Sequence, residues 1–521
     1  MAITKLKRAR NSLLNVSKLP PEIISEIFRW NATLRTDFGR LVKRSHNFLL
    51  VCHRWFEVAS RTPDLWSFWG NNLQDWMKRH LQHPMAPLDL VFDGGPHSRT
   101  ALPLNDSLRN ALQDRATRDT IRRIHLATND SDILDSILSP LAGCDGIRST
   151  SVKSIIVQCG TLTETPRVSD LLAHYHFPKL QRLDLDECTI SSWDLIMSKT
   201  SVLTSLTLNT QHPSPQITSF QLLFILRSNP SLQQITLYSH AIPGDGSSMS
   251  SRVPLAHLRE LALAGPLQDV FTLLHQLDYP RDMENLYLHL SDGTGEDISE
   301  TIGPYVRDYF QRRGRSKSGL GLYLFSSRGT IQLSIGDEDN PNFFATELAW
   351  VDTLVTITIA KFSQGDTEEF PLSLLTYVPQ EEITYCRARG TSISTEVMSA
   401  KLPYLREIYF EETPLHVAFP KSNPGRAAIF PHLQHIHINL GREVVPRGHW
   451  RTLTTFLKHL ASSGNKLDIL EIENPCDVDR AVESGIRKVV GEFRLTGGHY
   501  YRPKGYSVSR LSPRSNTGYF C

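Results

Sequence analysis

A single spacing of apolar residues recurs through most of this 521-residue chain: apolar, two variable positions, apolar, one variable position, apolar. It is fullest in Leu180-Gln181-Arg182-Leu183-Asp184-Leu185-Asp186-Glu187-Cys188-Thr189-Ile190. Neighbours in a strand alternate faces, so the spacing describes a short strand with Leu183 and Leu185 turned inward and Arg182, Asp184 and Asp186 turned outward. Looser copies are Ile121/Ile124/Leu126, Val152/Ile155/Val157, Leu203/Leu206/Leu208, Leu232/Ile235/Leu237, Leu258/Leu261/Leu263 and Met283/Leu286/Leu288. Three more follow at Leu405/Ile408/Phe410, Leu433/Ile436/Ile438 and Leu467/Leu470/Ile472. Outside the long gap between Met283 and Leu405, successive copies start about 23–34 residues apart, near the period of repeat architectures.

Helix signals fall between these strands: Thr218 to Arg227 before Asn229-Pro230, Leu267 to Leu277 before Pro280, and Thr452 to Leu460 before Gly464. The Leu180 stretch resembles the leucine-rich repeat template at each fixed position, turn cysteine included. That resemblance implies an α/β repeat, an irregular solenoid with a concave parallel sheet and convex helices, over residues 116–494. An ordinary α/β domain with right-handed crossovers gives the same alternation and stays open. Between Met283 and Leu405 the alternation at Leu320/Leu322/Leu324, Ile331/Leu333/Ile335 and Leu354/Ile357/Ile359 loses the two-residue spacer, which predicts a departure from a simple repeat, such as a hairpin. Ser291–Glu296 and Arg312–Gly319 read as loops, as does Gly244 to Arg252.

Near the N-terminus, Leu19-Pro20-Pro21-Glu22-Ile23-Ile24-Ser25-Glu26-Ile27-Phe28 predicts a helix opening at Pro21, with Glu22 favouring its dipole. A second helix is predicted over Phe48 to Arg61, stopped by Pro63, with Leu65 and Trp66 returning to the same small core. These elements resemble an F-box: Leu19-Pro20, Glu22-Ile23, Ile27-Phe28, Val51-Cys52-His53-Arg54-Trp55 and Leu65-Trp66 match its pattern in order. The join from Arg29 to Asn47 is longer than compact F-boxes use. The resemblance implies a small all-α module at 17–70 that docks on a Skp-type adaptor, and through it on cullin and RING subunits. Leu19, Pro20, Ile23, Ile27 and Val51 would then contact the adaptor, while Trp55 and Trp66 hold the module together. F-box followed by leucine-rich repeats resembles the substrate receptors abundant in fungi, so the expected role is a non-catalytic substrate-recognition subunit of a ubiquitin ligase. A leucine-rich-repeat scaffold with no ubiquitin link, and a hydrolase or transferase with an unrecognised site, are the competing readings.

Charge and composition narrow the partners. With 56 Lys and Arg against 54 Asp and Glu the formal charge is +2, which gives no overall polybasic character for nucleic acid and no acidic tail. Seven cysteines without a C-x-x-C pair fit a reducing compartment, and no apolar run approaches a membrane span, so a cytoplasmic or nuclear protein is expected. Cys521 stands at the last position rather than fourth from the end, so no prenylation box is read. No nucleophile elbow, zinc-protease helix, Walker loop or dinucleotide fingerprint occurs, so neither catalysis nor a cofactor is expected. Residues 1–16 read as a flexible basic lead, 71–115 as linker or cap, and 495–521 as a flexible tail.

Carrying the strand alternation along the repeats places Tyr238, Tyr287, Glu407, Tyr409, Glu411, His435, His437, Glu471 and Glu473 on the outward sheet face. The tyrosines suit a protein contact, and the glutamates make the C-terminal part locally acidic, which predicts a basic peptide or degron as partner. A merely solvated face is the alternative. His432, His435 and His437 lack an evident third ligand of fixed geometry and are not read as a metal site.

Overall fold

The computed structural model describes residues 18–33, 52–62, 68–69, 87–93, 119–127, 151–159, 177–188, 202–210, 217–239, 241–243, 252–280, 283–293, 295–313, 320–327, 330–337, 354–359, 373–391, 393–419, 430–441, 445–474, 478 and 480–496. It divides into two compact units, Met1–Met283 and Glu284–Cys521.

The first unit opens with α1 (Pro21–Thr33) and α2 (His53–Ser60). Pro21 takes the first helical position, where no N–H is needed, and the Pro20 carbonyl accepts from Ile24 N at 3.1 Å. Ile24, Phe28, Val58 and Ala59 form a buried cluster with Leu19 and Trp55 against it. The Phe28 and Trp55 rings meet edge to face at 5.1 Å. Arg54 Nη2 donates to the Leu19 carbonyl at 2.6 Å, and Ser25 and Thr62 hydroxyls bond at 2.9 Å, tying the start of one helix to the other. Val51, Leu65 and Trp66 lie outside the described residues.

The sheet of this unit runs β1 (Phe68–Trp69), β2 (Leu88–Asp93), β3 (Ile121–Ala127), β4 (Ser154–Gln158), β5 (Arg182–Asp186), β6 (Ser205–Thr210), β7 (Gln234–Ser239) and β9 (Glu260–Gly265), each pair parallel. β8 (Val253–Pro254) pairs in parallel with β10 (Leu277–Asp278). The sheet begins earlier than expected: β2 falls inside the 71–115 stretch read as linker or cap, and β1 inside the module read as all helical. β2 lies between β1 and β3, and its inward Leu88 and Leu90 are buried. α3 (Ser219–Ser228) starts at a capping box in which Thr218 Oγ1 accepts from Gln221 N and Gln221 Oε1 accepts from Thr218 N. It ends at fully buried Asn229, whose amide donates to Ile225 O at 2.8 Å and accepts from Leu203 N at 3.3 Å, fastening the helix end to the approach of β6. α4 (Leu267–Gln276) follows β9 and turns Val270, Leu273 and Leu274 inward.

In the second unit the spatial order is β11 (Asn285–Leu290), β14 (Val355–Ile359), β13 (Thr330–Asp337), β12 (Leu320–Ser327), β15 (Ile383–Arg389), β16 (Glu407–Glu411), β17 (His435–Asn439), β18 (Ile469–Glu473) and β19 (Glu492–Thr496). β13 runs antiparallel to both neighbours and every other pair is parallel, so the uniformly parallel sheet expected from the repeat is interrupted by a hairpin. α5 (Gly295–Arg313) corrects the loop readings at both its ends, since Gly295, Glu296, Arg312 and Arg313 are helical. Ile298, Ile302, Val306 and Phe310 give α5 the four-residue apolar step that the flanking Gly- and Arg-rich runs obscure. α6 (Thr395–Lys401), α7 (Leu415–Ala418), α8 (Arg447–Ser462) and α9 (Arg480–Arg487) lie between the later strands, and β19 runs to Thr496, past the expected start of the tail.

One turn recurs in both units. The residue after the strand is left-handed at Glu187, Gly390, Glu412 and Asn474, with φ of 55°, 60°, 51° and 56°. Each donates its N–H to a carbonyl at the end of the next strand, at Asn209, the last residue but one of β6, and at Glu411, Asn439 and Thr496, the last residues of theirs, at 2.8–3.0 Å. The strained backbone conformation therefore extends the parallel ladder by one hydrogen bond. At Gly390 a Cβ would sit 2.6 Å from the Ser326 carbonyl, so only glycine fits there. The next residue fills the position of the template cysteine: Cys188 Sγ donates to Asp186 O at 3.2 Å, and Thr413 Oγ1 donates to Glu411 O at 3.1 Å. A hydroxyl replaces the thiol in the later repeat.

Candidate functional site

Parallel register converts strand alternation into rows that cross the sheet, because Cα partners on adjacent strands present side chains to the same face. In the second unit the middle row reads Tyr323, Arg387, Tyr409, His437, Glu471, Arg494 from β12 through β15 to β19. The row towards the strand ends reads Phe325, Arg389, Glu411, Asn439, Glu473, Thr496, and the row towards the starts includes Tyr385, Glu407 and His435.

Within these rows charges and rings are matched. The Arg387 guanidinium lies over the Tyr323 ring at 5.6 Å and the Tyr409 ring at 5.1 Å, and donates to Glu411 Oε2 from Nη2 at 2.5 Å and from Nε at 3.1 Å. Burial works against the charge on Arg387, but Glu411 overcomes it and raises the pKa. Arg389 stands over Phe325 at 5.8 Å and donates to Glu412 at 3.1 Å. His437 Nε2 lies 3.1 Å from Glu407 Oε1, and its Nδ1 lies 3.4 Å from Glu471 Oε2. His435 Nδ1 is 3.9 Å from Glu407. Asn439 donates to the Tyr409 hydroxyl at 3.5 Å, and its Oδ1 accepts from Gly441 N at 2.9 Å and from Asn474 at 3.3 Å.

The acids of this face are less open than the alternation implies. Glu471 and Glu473 are 6% and 7% exposed, and Thr496 donates to Glu471 at 3.4 Å. Burial, with the negative charge of Glu471 beside it, raises the Glu473 pKa. Burial also pushes the Tyr409 phenol up to about 12 and Tyr385 well above the ordinary phenol range. The site is therefore a compact lattice of rings, two arginines, two histidines and partly dehydrated carboxylates, and not a uniformly solvated acidic strip.

Of the residues chosen from sequence, Glu407, Tyr409, Glu411, His435, His437, Glu471 and Glu473 converge on β16–β18. Tyr287 sits on β11 opposite Thr356 of β14, with β14, β13, β12 and β15 between it and that cluster. Tyr238 belongs to the first unit, on β7 opposite Asn209, its phenol raised by burial and by Asp184. Sequence reasoning missed Tyr323, Tyr385, Arg387 and Arg389. Ile383, Cys386 and Ala388 keep the repeat spacing, but Cys and Ala were too small an apolar signal to mark the strand.

No protein-family model and no curated protein matches the chain. Among the described residues no helix is long and apolar enough to cross a membrane, and no group of three or more His, Cys, Asp and Glu side chains could hold a metal ion.

At the other end of the chain, α1 splits its isoleucines. Ile24 is fully buried whereas Ile23 is 49% exposed, next to exposed Pro20, with Leu19 and Ile27 half-buried. Phe56 on α2 is 39% exposed.

The outward face of the first unit carries its own electrostatic cost at β5. Burial pushes the Asp186 carboxyl up to about 6, against the hydrogen bond donated by Asn209 at 2.7 Å and with Glu187 and Asp184 adding to the rise. The folded value lies above the unfolded one, so the folded state holds this proton more tightly. Its relative advantage is complete below about pH 4 and is lost as pH rises through about 6. Asp186→Asn keeps an acceptor for Asn209 and removes the charge. It should stabilise the protein by on the order of 1–3 kcal/mol at pH 7 and by nothing at pH 4 in denaturant titrations.

Proposed function

We propose that the chain is a non-catalytic substrate receptor of a Skp-cullin-F-box ubiquitin ligase, with its F-box in the α1–α2 module. The repeats, read as a solenoid with a concave sheet, hold a protein substrate. The observation that carries this reading is the division of labour on α1. Ile24 and Phe28 turn into the small core while Leu19, Pro20, Ile23 and Ile27 line the helix start and its open side. A module with so small a core leaves apolar surface for a partner. The recurrent strand and left-handed turn support a repeat array as the substrate-holding part. Ubiquitin transfer would then gain from proximity alone, since a tether raises effective concentration without supplying a nucleophile.

Co-purification with a Skp-type adaptor tests the assignment. The wild-type chain should retain the adaptor, and a Leu19→Ala/Pro20→Ala variant should lose it. Equal retention by both would refute the adaptor contact, and no retention by either would favour a repeat scaffold outside the ubiquitin pathway.

A further inference from the structure

Cys159 and Cys188 stand just past the ends of two adjacent parallel strands, β4 ending at Gln158 and β5 at Asp186. Both are fastened to the same carbonyl. Cys159 N donates to Asp186 O at 2.9 Å, while Cys188 Sγ donates to that oxygen at 3.2 Å and to Val157 O at 3.6 Å. The left-handed turn at Glu187 sets Cys188 facing inward, and the two sulfurs meet at 3.5 Å with the residues only 2% and 5% exposed. Among the described cysteines, Cys52 precedes α2 and Cys386 is sealed inside β15, so neither shares this contact.

We propose that Cys159 and Cys188 form a redox modification site, at which a peroxide joins the two through a disulfide that staples β4 to β5. Hydrogen-bonded strands run about 4.8 Å apart, within the roughly 4.4–6.8 Å that a disulfide spans between Cα atoms. The sulfurs must close by only about 1.5 Å to reach bonding distance, which side-chain rotation supplies without parting the strands. In the first step one sulfur, as thiolate, attacks the peroxide; the O–O bond breaks, giving a sulfenic acid and water. In the second the other sulfur forms the S–S bond and expels the sulfenic oxygen as a second water. Two thiols and one hydrogen peroxide thus yield one disulfide and two waters, with two electrons passing from sulfur to the peroxide oxygens. Contact with Cys159 and burial hold the Cys188 thiol well above the ordinary thiol range, so attack by Cys188 is slow. Resolution is fast, because the second sulfur already touches the first, and this spares the sulfenic acid from further oxidation. A reducing thiol returns the pair to its resting form by exchange.

The test treats the reduced, folded full chain with hydrogen peroxide, removes the oxidant with catalase, and alkylates the remaining thiols with N-ethylmaleimide in denaturant. Trypsin cuts after Arg167 and Lys179, which puts the two cysteines on separate peptides. Mass spectrometry should then find those peptides joined, two hydrogens lighter than their sum and separated by dithiothreitol, while Cys386 is recovered alkylated. The oxidised chain should unfold about 5–10 °C above the reduced one, and dithiothreitol should reverse the shift. Cys159→Ser and Cys188→Ser should show neither the link nor the shift. Recovery of both cysteines as alkylated thiols or as sulfinic acids overturns the site, and so does a Cys159–Cys188 link no more frequent in the folded chain than in chain oxidised in denaturant. A linked chain that unfolds no higher than the reduced one overturns the staple. These outcomes are read on the wild type, so they stand even where a serine variant fails to fold.

Discussion

Ile23→Asp is expected to weaken capture of a Skp-type adaptor by about 100-fold while leaving the unfolding midpoint of the chain within about 1–2 °C of wild type. Ile23 is half exposed on α1 while Ile24, one residue on, is sealed in the core, so the substitution touches the open side of the helix and no packing. Burying an isoleucine at an interface contributes about 1.5–3 kcal/mol, and forcing a carboxylate into the same dehydrated place adds a further cost. Together these exceed the roughly 2.7 kcal/mol that corresponds to 100-fold. Isothermal titration with purified adaptor reads the loss, and circular dichroism shows that the helices survive. Unchanged affinity would remove Ile23 from the interface. By the same logic Ile24→Asp should unfold the module and is no test of docking.

Phe410→Ala should destabilise the second unit by about 3–5 kcal/mol. Phe410 is fully buried on β16, meets Phe419 edge to face at 5.3 Å, and Phe419 in turn packs on Phe456 of α8 at 5.0 Å. These three rings link a strand to the helix that follows the next strand, so a cavity at Phe410 cannot be closed by moving one side chain. At about 2–4 °C per kcal/mol for a unit of this size, thermal unfolding should shift down by roughly 6–20 °C. Tyr404→Ala is the control. Its ring is 45% exposed and stacks on His432 at 5.8 Å, and its loss should cost no more than about 0.5–1 kcal/mol. A shift for Phe410→Ala as small as the control would mean that the aromatic chain is not where the unit holds its stability.

The sheet was legible in the sequence in most strands whose inward residues are large, β2 with Leu88 and Leu90 being an exception. Leu183 and Leu185, or Ile436 and Ile438, announce a strand by themselves, and the helix ending at Asn229-Pro230 is marked by its own stop signal. Legibility failed where an inward position held Cys386 or Ala388, since neither is distinctive out of context, and the arginines of β15 went unseen with the strand. The left-handed turn was unreadable for a different reason: its residue is Glu, Gly, Glu or Asn, and what repeats is a backbone angle and a hydrogen bond rather than a side chain. For the candidate site, alternation gave the facing correctly at β16–β18 but not the neighbours. That Glu411 belongs to Arg387 and that Glu407 shares His437 with Glu471 are consequences of register between segments some 25–65 residues apart.

The hairpin in the second unit bears on how that unit can fold. In a plain solenoid each strand pairs with the next in sequence, so order spreads from any nucleus by short steps and an interruption merely pauses it. Here β11 pairs with β14, about 70 residues away, and β12 pairs with β15, about 60 residues away, with β13 between them. The local β12–β13 turn can close fast, but attaching either flank demands a long loop whose entropy must be met before its contacts form. Zippering from the C-terminal strands therefore reaches β15 and halts until the three-stranded insert has assembled as a block. The insert is thus a kinetic checkpoint within the second unit's sheet, and β13, the strand that runs against both its neighbours, is the one through which the two flanks of that sheet acquire cooperativity.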